Sequence, residues 1–180
     1  MIRFFLIIIS LSLLGVELVS GQNEWQKYLD PNGKFEVFCP GGLMQMKEQE
    51  VVTELGHLKN TAYFIQMDNP HPNHLYMITT IDYPKGAFPK DSLSMIEEFF
   101  EEVLISLEQN TNTKEQYHQM EVTAQTKEMI SRLISLDGKT SIKARVLLKD
   151  DILYTLQAYT NHSNKLNDFL DQFIDSFKLL

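Results

Sequence analysis

Between Asp91 and Glu108 the spacing of apolar residues changes, and that change constrains the fold more than any other feature of the chain. Leu93, Ile96, Phe100, Val103, Leu104 and Leu107 recur at steps of three and four, which puts them on one face of a helix. Glu97, Glu98, Glu101 and Glu102 occupy much of the opposite side. The segments before and after this stretch alternate apolar and polar residues instead, as half-buried strands do. A helical stripe can be buried only against another element, so a helix set among strands implies a sheet with a helix packed on it.

The flanking strands follow from turn signals. Lys34 to Cys39 alternates between Asp30-Pro31-Asn32-Gly33 and Pro40-Gly41-Gly42 and predicts a first strand, with Cys39 sharing the buried parity of Phe35 and Val37. A short strand is expected around Val51 to Glu54, and longer ones over His57–Met67 and Leu75–Tyr83, joined by a proline-stiffened loop. Ser92 or Asp91 is the expected helix cap, with Ser94 and Glu97 at capping-box spacing and acidic residues near the positive end of the helix dipole. Asn110 to Glu115 reads as a polar connection. Thr126–Leu136, the strand from Thr140 to Leu148 and the strand from Ile152 to Ala158 then form an antiparallel meander around Asp137-Gly138 and Lys149-Asp150-Asp151, with one apolar face running through the last two. Leu166, Phe169, Leu170, Phe173 and Phe177 predict a closing helix. The fold class is α+β, an antiparallel sheet flanked by helices, in one domain over residues 22–180.

The first residues stand apart. Arg3 precedes an apolar run from Phe4 to Leu14, and Val19-Ser20-Gly21 carries side chains small enough for a signal peptidase, so residues 1–21 read as a signal peptide cleaved before Gln22. The run is short of the roughly 20 apolar residues that cross a bilayer. The expected location is therefore periplasmic or extracellular, with no stable membrane insertion after cleavage. Lys and Arg number 16 against 24 Asp and Glu, and because the leader holds one charge of each sign the net −8 belongs to the rest of the chain. Such a surface gives no electrostatic reason to approach nucleic acid or an anionic membrane, and favours a protein partner with a basic surface. A single cysteine rules out an internal disulfide framework.

The strings Phe35-Glu36-Val37-Phe38-Cys39-Pro40, Tyr76-Met77-Ile78-Thr79-Thr80-Ile81-Asp82-Tyr83-Pro84 and Phe169-Leu170-Asp171-Gln172-Phe173-Ile174-Asp175-Ser176-Phe177, in that order, resemble the PsbP/Mog1-like superfamily, above all its small secreted bacterial members. The resemblance spans most of Phe35 to Leu180. It implies an antiparallel sheet between helices and a non-enzymatic accessory role, since superfamily members serve as photosystem subunits, a GTPase-binding protein and adaptor-like domains. It carries no shared functional residue.

Candidate sites are few. Asp68, His71 and His74 are residue types that zinc accepts, but Pro70 and Pro72 interleave them and no fourth ligand stands nearby, so a solvated loop is the expectation. His57, His118 and His162 are isolated, and Asn161-His162-Ser163 matches a glycosylation sequon. No nucleophile elbow, phosphate loop or His-Glu-x-x-His motif occurs, so neither an enzyme nor a cofactor is expected. The strongest patch is Glu97, Glu98, Glu101 and Glu102, which Phe99 would supply with an apolar anchor if it were exposed. Tyr63, Tyr76 and Tyr83 either line a pocket or pack beneath a helix. The sequence thus points to an exported protein-binding domain, with a small-molecule or lipid carrier as the alternative and a metal-assisted hydrolase behind it.

Overall fold

A computed structural model describes residues 24–41, 43–53, 56–68, 70–89 and 92–180. The signal-peptide reading and the Asp91 cap lie outside these residues. Among these residues ten strands and two α-helices run in the order β1 (Trp25–Leu29), β2 (Phe35–Pro40), β3 (Gln45–Thr53), β4 (Gly56–Gln66), β5 (Asn73–Asp82), α1 (Leu93–Thr111), β6 (Thr113–Val122), β7 (Lys127–Ser135), β8 (Thr140–Lys149), β9 (Ile152–Asn161), α2 (Asp168–Ser176) and β10 (Lys178–Leu179). Seven strands form one antiparallel sheet in the order β3-β4-β5-β9-β8-β7-β6, and β1-β2-β10 form a small second sheet. Among the described residues no helix is long and apolar enough to cross a membrane.

Because side chains alternate across a strand, the large sheet has two buried faces. One face packs Ile142, Ala144, Val146 and Leu153 against Ile96, Phe100, Val103 and Leu107 of α1. The other packs Tyr63, Tyr76, Ile78, Tyr154 and Leu156 against Phe173 of α2 and against Phe35, Val37 and Cys39 of β2. The α+β class and the antiparallel sheet between helices are as the sequence indicates, and Cys39 is fully buried, as its parity requires.

The single apolar face expected through β8 and β9 is wrong. The turn between them has two residues, Asp150 and Asp151, both left-handed with φ of 49° and 61°, and it pairs Lys149 with Ile152. Val146 consequently lies opposite Thr155, and Leu148 opposite Leu153. Even-numbered residues of β8 share a face with odd-numbered residues of β9, so Tyr154, Leu156 and Ala158 turn away from α1 and into the other core.

Three short or polar elements also escape the apolar pattern. β1 buries only Tyr28 fully. β6 is an edge strand that alternates half-buried and exposed residues, and α1 passes into it through Asn112, whose left-handed φ of 52° ends the helix while its N–H bonds to Glu108 O. β10 is two residues long and pairs with β2, so the chain closes on a strand after the expected helix. β3 is longer than expected, nine residues.

The β1–β2 turn is fixed to the large sheet by Asp30, which is 1% exposed. Its carboxylate accepts from Lys34 N at 3.0 Å and from the Tyr63 hydroxyl at 2.8 Å, and Gly33 takes the left-handed φ of +69° that closes the turn. At the start of α2, Asn167 caps the helix by accepting from Leu170 N and donates to Asn73 Oδ1 at 2.9 Å, while the fully buried Asn73 donates to Tyr76 Oη. That amide pair, buried on the Asn73 side, fixes the helix start to the beginning of β5.

Candidate interaction surfaces

The acidic face of α1 is built by helix periodicity, but its cap differs from expectation. Ser92 is the N-cap and makes no side-chain cap bond, Ser94 lies inside the helix, and no acidic residue falls in the first turn. The glutamates act along the exposed face instead. Glu97, Glu98 and Glu101 are exposed and Glu102 is half-buried.

Phe99 is not the anchor of this patch. It is 1% exposed, with its ring 4.7 Å from that of Phe88 and 5.7 Å from that of Tyr83. The segment that supplies these rings is clamped by the β8–β9 turn, where the Asp151 carboxylate accepts from Gly86 N at 2.7 Å and from Phe88 N at 3.1 Å. A loop distant in sequence from α1 thus widens the helix's buried stripe by one residue. The apolar side chain that does emerge is Ile105, 51% exposed. It stands four residues after Glu101, three after Glu102 and seven after Glu98, on the acidic face at its C-terminal end. The sequence contains the signal, since Ile105 lies outside the apolar stripe, yet a lone apolar residue on an exposed face is common.

The electrostatics of this face are those of crowded carboxylates. Burial, then the neighbouring Glu98 charge, raises the Glu102 carboxyl above its usual value, and Glu102 Oε2 is buried with no hydrogen-bond partner among the described residues. Burial, and after it the Glu102 charge, also raises the Tyr83 phenol. At the flank, His118 Nδ1 is 2.8 Å from Glu115 and Nε2 is 3.5 Å from Glu101, tying β6 to the ridge.

The loop candidates take separate partners. His71 packs its ring 5.3 Å from Phe169 and 5.9 Å from Tyr76, with Asn73 N donating to Nδ1, whereas His74 Nε2 is 3.0 Å from Asn161 Oδ1. No hydrogen bond or ion pair links Asp68 to either ring, and among the described residues no three His, Cys, Asp or Glu side chains are grouped to hold a metal. Burial against the aromatic rings lowers the His71 pKa, the backbone of Asn73 opposes this, and nearby His74 adds to the lowering. His57 meets Glu50 and His162 meets Ser141, each in a local pair. Tyr63 and Tyr76 are core residues beneath α2 and β2, and Tyr83 packs under α1.

A cavity of about 110 Å³ lies beside the start of α2, lined by Arg132, Leu133, Ser141, Ile142, Lys143, Lys165, Leu166 and Leu170, with Gln116 at its edge. Nothing in the sequence groups these residues, which come from three strands, the segment before α2 and α2 itself.

The comparisons agree with this architecture. The family model described as PsbP matches residues 23–179. Among solved structures, cyanobacterial PsbP (CyanoP) from Synechocystis sp. PCC 6803 superposes with a TM-score of 0.54 at 13% identity, over 93% of this chain and 99% of that one. Among curated proteins, none matches the sequence. On the span of the family model, with the sheet and helices described above, the chain belongs to the PsbP family.

Proposed function

We propose that residues 22–180 form one exported, non-enzymatic domain that binds another protein, and that the α1 ridge meets a basic surface on that partner. The observation that carries this reading is Ile105, a large apolar side chain half exposed on the same helix face as Glu98, Glu101 and Glu102 and one turn beyond them. Desolvated apolar anchors are what protein interfaces use for affinity, and neighbouring charge of a single sign adds steering toward the opposite charge. Family membership supports an accessory role, and the net charge of −8 supports a basic partner.

Native mass spectrometry of the protein purified from its own exported fraction tests the reading. The wild type is expected to retain a protein partner at low salt and to release it as salt rises. A variant carrying Glu98→Lys, Glu101→Lys and Ile105→Asp is expected to remain folded and to lose that partner. Equal retention by the variant refutes the ridge, and a retained small molecule in place of a protein refutes the protein-binding reading itself.

A further inference from the structure

Arg132 on β7 and Lys143 on β8 lie directly opposite one another, on the face of the large sheet that α2 covers. Like charges so placed repel. A third cation, Lys165, precedes α2, and its carbonyl accepts from Arg132 Nη1 at 3.1 Å, which draws that segment over the strand pair. All three residues line the cavity of about 110 Å³. Leu133 and Ile142 send their side chains to the core under α1, so the strands meet the cavity there with main chain. Gln116 also lines it, at the bulge where the β6–β7 register shifts between Glu115 and Tyr117. Bulges re-aim side chains beside functional sites, and this one adds an amide to the cations.

The carboxylates at hand do not balance these cations. Asp171 Oδ1 lies 2.6 Å from Lys143 Nζ and 3.9 Å from Arg132 Nη2, and Asp175 lies 3.8 Å from Lys143. Both carboxylates therefore sit closest to the nearly buried Lys143, and Asp168, in the first turn of α2, pairs with none of the three. Lys165 is exposed and makes no ion pair among the described residues. An excess of positive charge thus remains at the mouth of the cavity, between Arg132 and Lys165, in a chain whose net charge is −8.

A cavity of about 110 Å³ equals roughly four water volumes of about 30 Å³ each, the room that the four oxygens of a tetrahedral oxyanion fill. We infer that the cavity binds a phosphate-type oxyanion, free or as the end group of a small phosphate ester, with Arg132 and Lys165 as its charged partners and Gln116 as a neutral donor. A guanidinium holds phosphate oxygens by two parallel hydrogen bonds, and an ammonium binds the same group as a point charge. The inference goes beyond the protein-binding reading and does not depend on it, because the cavity and the α1 ridge lie on opposite faces of the sheet.

The test is a nuclear magnetic resonance titration of the isotope-labelled protein with sodium phosphate, at neutral pH and at an ionic strength held constant with sodium chloride. The amide resonances of Gln116, Arg132, Ser141 and Lys165 are expected to shift saturably, while those of the α1 ridge stay in place. Acetate, with one charge and two oxygens, is expected to bind at least about tenfold more weakly. Lys165→Gln removes an exposed charge without an ion pair, leaves the fold intact and is expected to weaken phosphate by about tenfold. Lys47→Gln removes the same charge from β3, at the far edge of the sheet, and should leave binding unchanged. Asp171→Asn releases Arg132 and Lys143 toward the cavity and is expected to tighten phosphate severalfold. No saturable shift, equal binding of acetate, equal effects of Lys165→Gln and Lys47→Gln, or no gain in Asp171→Asn overturns the proposal. Methyl phosphate binding more tightly than inorganic phosphate identifies a small ester as the source, the reverse order identifies the free ion, and either order upholds the site. The ridge variant should bind phosphate unchanged, so failure of the ridge and failure of the cavity are separable.

Discussion

Replacing Tyr63 with phenylalanine removes one oxygen and tests how the small sheet is held on the large one. The Tyr63 hydroxyl donates to Asp30 Oδ1 at 2.8 Å, and the two residues are 2% and 1% exposed. Among the described residues no other hydrogen bond reaches Oδ1, and the Lys34 amide takes Oδ2. Burial and the adjoining Asp30 carboxylate push the Tyr63 phenol up, so it remains a donor throughout the working pH range. A hydrogen bond to a charged group contributes about 1.5–3 kcal/mol, and the carboxylate oxygen left behind would be buried and unpaired. The expected loss is therefore about 2–3 kcal/mol, which for a domain of this size lowers Tm by roughly 4–12 °C. Urea and thermal unfolding followed by the single tryptophan, Trp25, measure it, because that ring stacks 5.7 Å from Phe169 and meets Tyr76 edge-on at 5.6 Å across the same junction. Tyr28→Phe is the control, since the Tyr28 hydroxyl makes no hydrogen bond among the described residues, and it should shift stability by no more than about 0.5 kcal/mol. If Tyr63→Phe is as mild as Tyr28→Phe, the Asp30 pairing does not anchor the β1–β2 turn and the reasoning fails.

Three further outcomes are expected. Glu102 has a folded-state pKa raised above 4.5, so its ionisation opposes folding as pH rises through that region; Glu102→Gln should stabilise at pH 7 and show no gain at acid pH, as paired denaturant melts would reveal. His71 is shifted the other way, below 6.5, so the folded state favours the neutral ring and stability should fall as pH drops below that value. His71→Leu should flatten that part of a Tm-against-pH curve. Asn167→Ala removes the α2 cap and the donor to the buried Asn73 Oδ1, for an expected cost of about 1–3 kcal/mol in chemical denaturation.

The elements legible in the sequence are those whose own residues carry a period. The stripe of α1 and the alternation of β2 predict both type and burial, because a helix or strand needs one face dry whatever it packs against. β6 was not legible, since an edge strand alternates half-buried with exposed side chains and its apolar residues are too sparse to repeat. The parity of β9 was not legible either, because a two-residue turn decides which residues of neighbouring strands share a face.

The candidate surfaces divide in the same way. Local spacing alone puts Glu97, Glu98, Glu101 and Glu102 on one exposed side of a helix, and the residue counts alone make the chain acidic. Tertiary structure decided what that side offers. Asp151 clamps the 83–88 segment over Phe99 and buries it, which leaves Ile105 as the exposed apolar residue. The cavity beside α2 belongs wholly to tertiary structure, because Arg132, Ser141, Lys143 and Lys165 meet only once β7 and β8 pair and a helix start is pinned beside them. Periodicity is a property of neighbours along the chain, whereas a cavity or a covered ring depends on residues that only folding brings together.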